Sequence, residues 1–172
     1  MDLNQAQVKE LLGDLSYLEH EAEALKYVID TIPYTETPPT GRSVQDTLLF
    51  LDHLQHNYYR QIIEESFKSV RPINLNSYTK PEDSFEPELE DGEGIQDVLF
   101  KIGKHRAGML NLLQSFGIID WEREITVGRH SITVYELARE MIRKERGVLK
   151  EIADLILTFQ QNKNVGRESG GG

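Results

Sequence analysis

The sequence predicts an all-α fold, a four-helix bundle with a long acidic crossover between helices two and three. Two observations carry this. Four long stretches place apolar residues at three- and four-residue steps, the signature of amphipathic helices, and proline and glycine cluster between them with no strand-rich region. A helix with one apolar stripe hides only one side, so four of them bury their stripes most economically against one another.

The first helix is expected over 2–32, where Leu3, Leu11, Leu15, Leu18, Ala22, Leu25 and Ile29 form the stripe. Asp2 followed by Gln5 reads as a capping-box start. Pro33 ends it, and Pro38, Pro39 and Gly41 mark a loop. Ser43, with Asp46 three residues on, opens the second helix, which runs to about Val70 on Val44, Leu48, Leu51, Leu54, Tyr58 and Ile62. Over 71–93 the pattern breaks down. Three prolines interrupt the segment, and seven acids follow Lys80 without a base, so it reads as a long, partly mobile acidic crossover that keeps the protein solvated.

The third helix is expected over 94–116, with Ile95, Val98, Leu99, Ile102, Met109, Leu110 and Leu113 inward and Gly117 as its stop. Gly103 and Gly108 either permit close packing or cost stability. A weakly alternating stretch around Gly128 suggests a small hairpin but not a sheet. Thr133 with Glu136 is a capping box for the fourth helix, carried to about Gln160 by Val134, Leu137, Met141, Val148, Leu149, Ile152, Ile156 and Phe159. The expected organisation is one domain over 1–161 and a disordered tail over 162–172. The first and third loops are short enough for antiparallel neighbours, whereas the middle one can cross over.

Composition removes several classes of function. With no cysteine among 172 residues, disulfides, thiolate nucleophiles, zinc fingers and iron–sulfur clusters are excluded. Nineteen basic against 29 acidic side chains give a net charge of -10, the wrong sign for a nucleic-acid partner. No apolar run has the length of a membrane span, and the N-terminus lacks a basic segment followed by an apolar core, so a cytoplasmic location is expected. Phosphate-binding glycine loops and a recognisable Ser–His–carboxylate setting are absent.

Two places stand out chemically. In helix four, Leu137, Met141, Lys144 and Val148 share the inward stripe, so Lys144 interrupts it and calls for a partner such as the adjacent Glu145. In helix two, His53 and His56 stand three residues apart, on neighbouring positions of one face, where two imidazoles can share a metal if another helix supplies a third ligand. His20, His105 and His130 are read as structural or surface residues.

The openings Gly41 to Leu49 of helix two and Ser131 to Arg139 of helix four, with Arg143 to Ile152 after the latter, resemble the DinB/YfiT-like four-helix-bundle superfamily. That resemblance implies metal-dependent transfer or hydrolysis, including thiol S-transfer, at one histidine from helix two and a His-x-x-x-His pair from helix four. The matching positions here are Phe50, Lys144 and Val148, none of which is the implied ligand. Two apolar side chains and a fixed positive charge would refill such a cavity. The leading expectation is therefore a DinB-like protein without the usual metal site and with no cofactor. It would act as a small-ligand binding or interaction module, with a pocket at Phe50, Lys144, Glu145 and Val148 suited to a small acidic ligand. The alternative is a metal-dependent transferase or hydrolase with Ni, Zn, Mn or Fe relocated to His53, His56 and a carboxylate such as Glu145 or Glu140. A homodimer is a further expectation.

Overall fold

A computed structural model describes residues 2–170, with side chains to 162. Helix α1 (Gln5–Val28) starts at Asn4, whose side chain accepts from Gln7 N–H while the Gln7 side chain accepts from Asn4 N–H. The box thus sits two residues later than the Asp2–Gln5 reading. Ser43 caps α2 (Val44–Asp52) by accepting from Asp46 N–H at 3.1 Å, as expected. The second long helix continues without a break through a π-helical turn, His53–Tyr59, into α3 (Arg60–Lys68). The extra residue in that turn rotates everything after it, so that Tyr59 rather than Tyr58 is buried.

The crossover is more structured than a solvated linker. It contains β1 (Ile73–Asn74) and the short helix α4 (Pro81–Ser84). Helix α5 (Ile95–Leu113) follows and ends before Gly117, which has a φ of -84° and caps α6 (Ile118–Trp121) instead of stopping α5 in a left-handed conformation. Strands β2 (Glu124–Val127) and β3 (His130–Thr133) form the suspected hairpin through Gly128 and Arg129, with Gly128 at φ 63°. A positive φ at only the first loop position is the demand of a type II′ turn, which glycine meets without strain. β1 pairs in parallel with β2, so a minor three-stranded sheet exists where only a hairpin was expected. Helix α7 (Val134–Gly170) opens with Glu136 N–H donating to Thr133 Oγ1 at 3.1 Å. The expected disorder of 162–172 falls mostly on residues whose side chains lie outside the described ones.

Cross-bundle contacts give the helix directions. Leu15 pairs with Arg106 and Lys26 with Gln96, so α1 and α5 are antiparallel. Gln55 meets Ile102, His56 meets His105 and Arg60 lies against Gly108, so helix two and α5 run the same way, which is what a long crossover permits. α1 packs chiefly on α5, and α2 packs on both α5 and α7. Helices one and two therefore face each other across the core, as do α5 and α7, and the short loops do not join neighbours. The core runs through all four helices, from Leu15, Leu48, Leu51 and Ile62 to Leu99, Ile102, Met141 and Ile152. Among the described residues, no helix is long and apolar enough to cross a membrane.

Candidate functional site

At the centre of the bundle lies a polar cluster that the apolar pattern concealed. Arg106 of α5 is 1 % exposed and reaches the other three long helices. Its Nε donates to Gln55 Oε1 at 3.1 Å, one Nη donates to Leu15 O at 3.1 Å, and the other forms a short ion pair with Glu145 of α7. Gln55, brought inward by the π turn, donates in turn to Ile102 O and Asp52 Oδ1, each at 3.0 Å. Burial holds the Glu145 carboxyl above the usual carboxylate range, and the Arg106 guanidinium offsets only part of that rise. Buried charges persist only when paired and hydrogen-bonded in this way.

This overturns the expected Lys144–Glu145 pair. Residues adjacent in a helix point about 100° apart, and the one facing the core is Glu145. Lys144 instead lies at the rim, its side chain 40 % exposed and its Nζ 3.7 Å from Glu82. Glu145 thus does not join Lys144 in the expected pocket. The structural signal for Arg106 was present in the sequence, since it stands four residues after Ile102 and three before Met109, in the gap of the α5 stripe.

The crossover packs against helix two and reaches α7. α4 brings Glu82 to Lys144 and Ser84 to His53, whose Nε2 is 2.9 Å from Ser84 Oγ. The next residue, Phe85, meets the Phe50 ring edge-on at 5.3 Å, and the Arg42 guanidinium covers Phe50 at 4.4 Å. Val148 is buried one turn beyond Lys144. Tyr59 is 1 % exposed, and among the described residues its hydroxyl has no hydrogen-bond partner. Desolvation first, then the nearby Glu140, raises its pKa, so the phenol stays protonated and remains a donor.

His53 and His56 are not brought together. Each residue of a π turn advances through a smaller angle than in an α-helix, so three steps no longer reach a neighbouring position. His53 turns to α4, with its Nδ1 3.1 Å from Asn57 Nδ2. His56 turns to α5 and stacks on His105, with ring centroids 3.6 Å apart. His105, read from the sequence as a bland residue, has its Nδ1 2.8 Å from Asp52 Oδ1. Burial keeps both His53 and His56 below the usual histidine range. Among the described residues, no group of three or more His, Asp or Glu side chains is placed to hold a metal ion. At the three positions that the resemblance assigns, two side chains lack donor atoms and the third is an amine held by a carboxylate, so the residues present do not fit a divalent cation.

No protein-family model matches the chain, and no curated protein does. A solved structure does: YfiT from Bacillus subtilis, described as a probable metal-dependent hydrolase with an unusual four-helix bundle topology. It superposes with a TM-score of 0.66 over 90 % of this chain and 88 % of that one, at 15 % sequence identity. At that identity the likeness establishes a shared fold, a YfiT-like four-helix bundle, including the DinB-like architecture expected from the sequence.

Proposed function

We propose that this chain is a YfiT-like bundle whose usual metal site has been replaced, and that it works as a binding module for small anions at the junction of helix two and α7, where α4 now sits. The observation that carries this reading is the Lys144–Glu82 contact at 3.7 Å, in which a carboxylate from the chain itself lies where an anionic ligand would lie. The unpartnered Tyr59 hydroxyl supplies a second donor nearby, while Phe50 and Phe85 supply an apolar wall. A site of this kind, mostly apolar with a few polar groups, suits a small carboxylate or phosphate compound.

The likeness to a probable metal-dependent hydrolase motivates the alternative of a centre relocated to His53. The geometry disfavours it, because both ring nitrogens of His53 already have partners and Glu145 is committed to Arg106. The binding reading is tested by calorimetric titration with malonate, citrate and inorganic phosphate. Glu82→Gln removes the internal competitor and should tighten binding several-fold, whereas Lys144→Met should abolish it. Unchanged binding in Lys144→Met contradicts the proposal.

A further inference from the structure

The segment that carries α4 is attached to the bundle by side chains alone. Over 79–93 its backbone hydrogen bonds close within the segment, from Asp83 and Ser84 N–H to Lys80 O and from Glu93 N–H to Glu90 O. Among the described residues, no main-chain bond ties it to helix two or α7. Pro81 is buried, but Glu82 meets Lys144 with half of its side chain exposed, and Ser84, which meets His53, is exposed as well. Segments held in this way open at a much lower free-energy cost than the core.

Two of these side chains, three residues apart across one turn, fill two different environments. Glu82 places a carboxylate 3.7 Å from Lys144 Nζ. Phe85 places a ring in an aromatic corner, where Phe50 meets it edge-on at 5.3 Å, the His53 ring lies at 5.4 Å and the Arg42 guanidinium covers it at 5.2 Å. Neither environment is made by α4. Lys144 belongs to α7, and the corner belongs to helix two and the loop before it, with Arg42 also covering Phe50 at 4.4 Å. Glu140, one turn before Lys144 on α7, brings its charge to the Tyr59 hydroxyl. Lys144 therefore matches one negative charge here, and a second would meet Glu140.

Resting on the anion-binding reading above, we propose that the ligand is an arylalkyl monocarboxylate, whose carboxylate takes the place of Glu82 and whose ring takes the place of Phe85. Side chains three residues apart on a helix start about 5–6 Å from each other, a span that about two or three methylenes cover, as in 3-phenylpropionate and 4-phenylbutyrate. Phe85, part of the wall in the free chain, gives way to the ligand ring. That ring contributes apolar area against Phe50 and a face for the Arg42 cation, while Lys144 fixes its orientation. The apparent affinity is the intrinsic one scaled by the fraction of chains that α4 has left open, so loosening its hold tightens binding.

The test is calorimetric titration of 3-phenylpropionate, and of propionate as its counterpart without a ring, into the wild-type chain and three variants that keep the wild-type circular dichroism spectrum. The aryl compound should bind about tenfold tighter than propionate. Glu82→Gln with Phe85→Ala should tighten it by about a further tenfold, and Lys144→Met should weaken it by about as much. Arg42→Met should weaken the aryl compound several-fold and leave propionate unchanged. A ring that adds nothing, with both anions still dependent on Lys144, overturns the ligand class and leaves the anion site standing. No Lys144-dependent binding of either compound, in the wild type and the double variant alike, overturns both. Tight binding of 3-phenylpropionate that neither the double variant nor Arg42→Met alters also overturns the proposal, because the compound then sits elsewhere.

Discussion

The side chain on which the core depends most is Arg106. It holds three helices other than its own, and among the described residues its guanidinium alone compensates the Glu145 charge inside the bundle. Removing one member of a buried ion pair strands the other, at a cost of about 3–5 kcal/mol, whereas replacing both by apolar groups is often close to neutral. Arg106→Met is therefore expected to lose most of that amount in urea unfolding, and Arg106→Met with Glu145→Leu to recover a large part of it. A double variant no more stable than the single one contradicts this role. At this scale the sequence misleads by one residue. Lys144 and Glu145 are adjacent, and an apolar stripe read by eye has a width of about one position, so the break in the stripe was visible while its owner was not.

Among the elements, the π turn at 53–59 does most to separate the structure from its sequence pattern. It moves Tyr59 inward, aims Gln55 at Arg106, and sends His53 and His56 to different neighbours. A π turn has no short sequence signature comparable to a cap or a proline, so a strict 3.6-residue reading carried straight through it. Caps at Ser43 and Thr133 were legible because each is a local side-chain hydrogen bond. The pairing of β1 with β2 was not, since it joins segments about fifty residues apart.

The turn also has a consequence for acid stability. Burial first, and the stacked His105 next, depress the pKa of His56 below its ordinary 6.5 in the folded chain. Below that ordinary value the unfolded chain binds a proton that the folded chain resists, so stability falls as pH drops through and below 6.5. His56→Phe keeps a ring against His105 but removes the titration. Its unfolding free energy should decline less between pH 7 and pH 5 than that of the wild type, and an identical acid slope in the two proteins would remove His56 from the explanation.

For the molecule as a whole, the four stripes and the acidic crossover were enough to read the bundle, because burying one side of each helix leaves few architectures. The helix order was not readable. It depends on which faces meet, and stripes of similar width do not label their partners. The crossover hid its contribution for another reason: seven acids and three prolines describe a solvated connection, yet α4 and Phe85 fold back onto helix two and α7. In this chain Phe50 and Val148 are buried and Lys144 lies at the rim, the three positions that the resemblance assigns to metal ligands.

The replacement of the metal site is the claim on which the functional reading rests, and elemental analysis tests it most directly. The purified protein would be offered nickel, zinc, manganese and iron separately and then dialysed. The account expects no metal to be retained in a fixed ratio to protein. Retention of about one equivalent, lost in His53→Ala, would contradict it and establish a relocated centre.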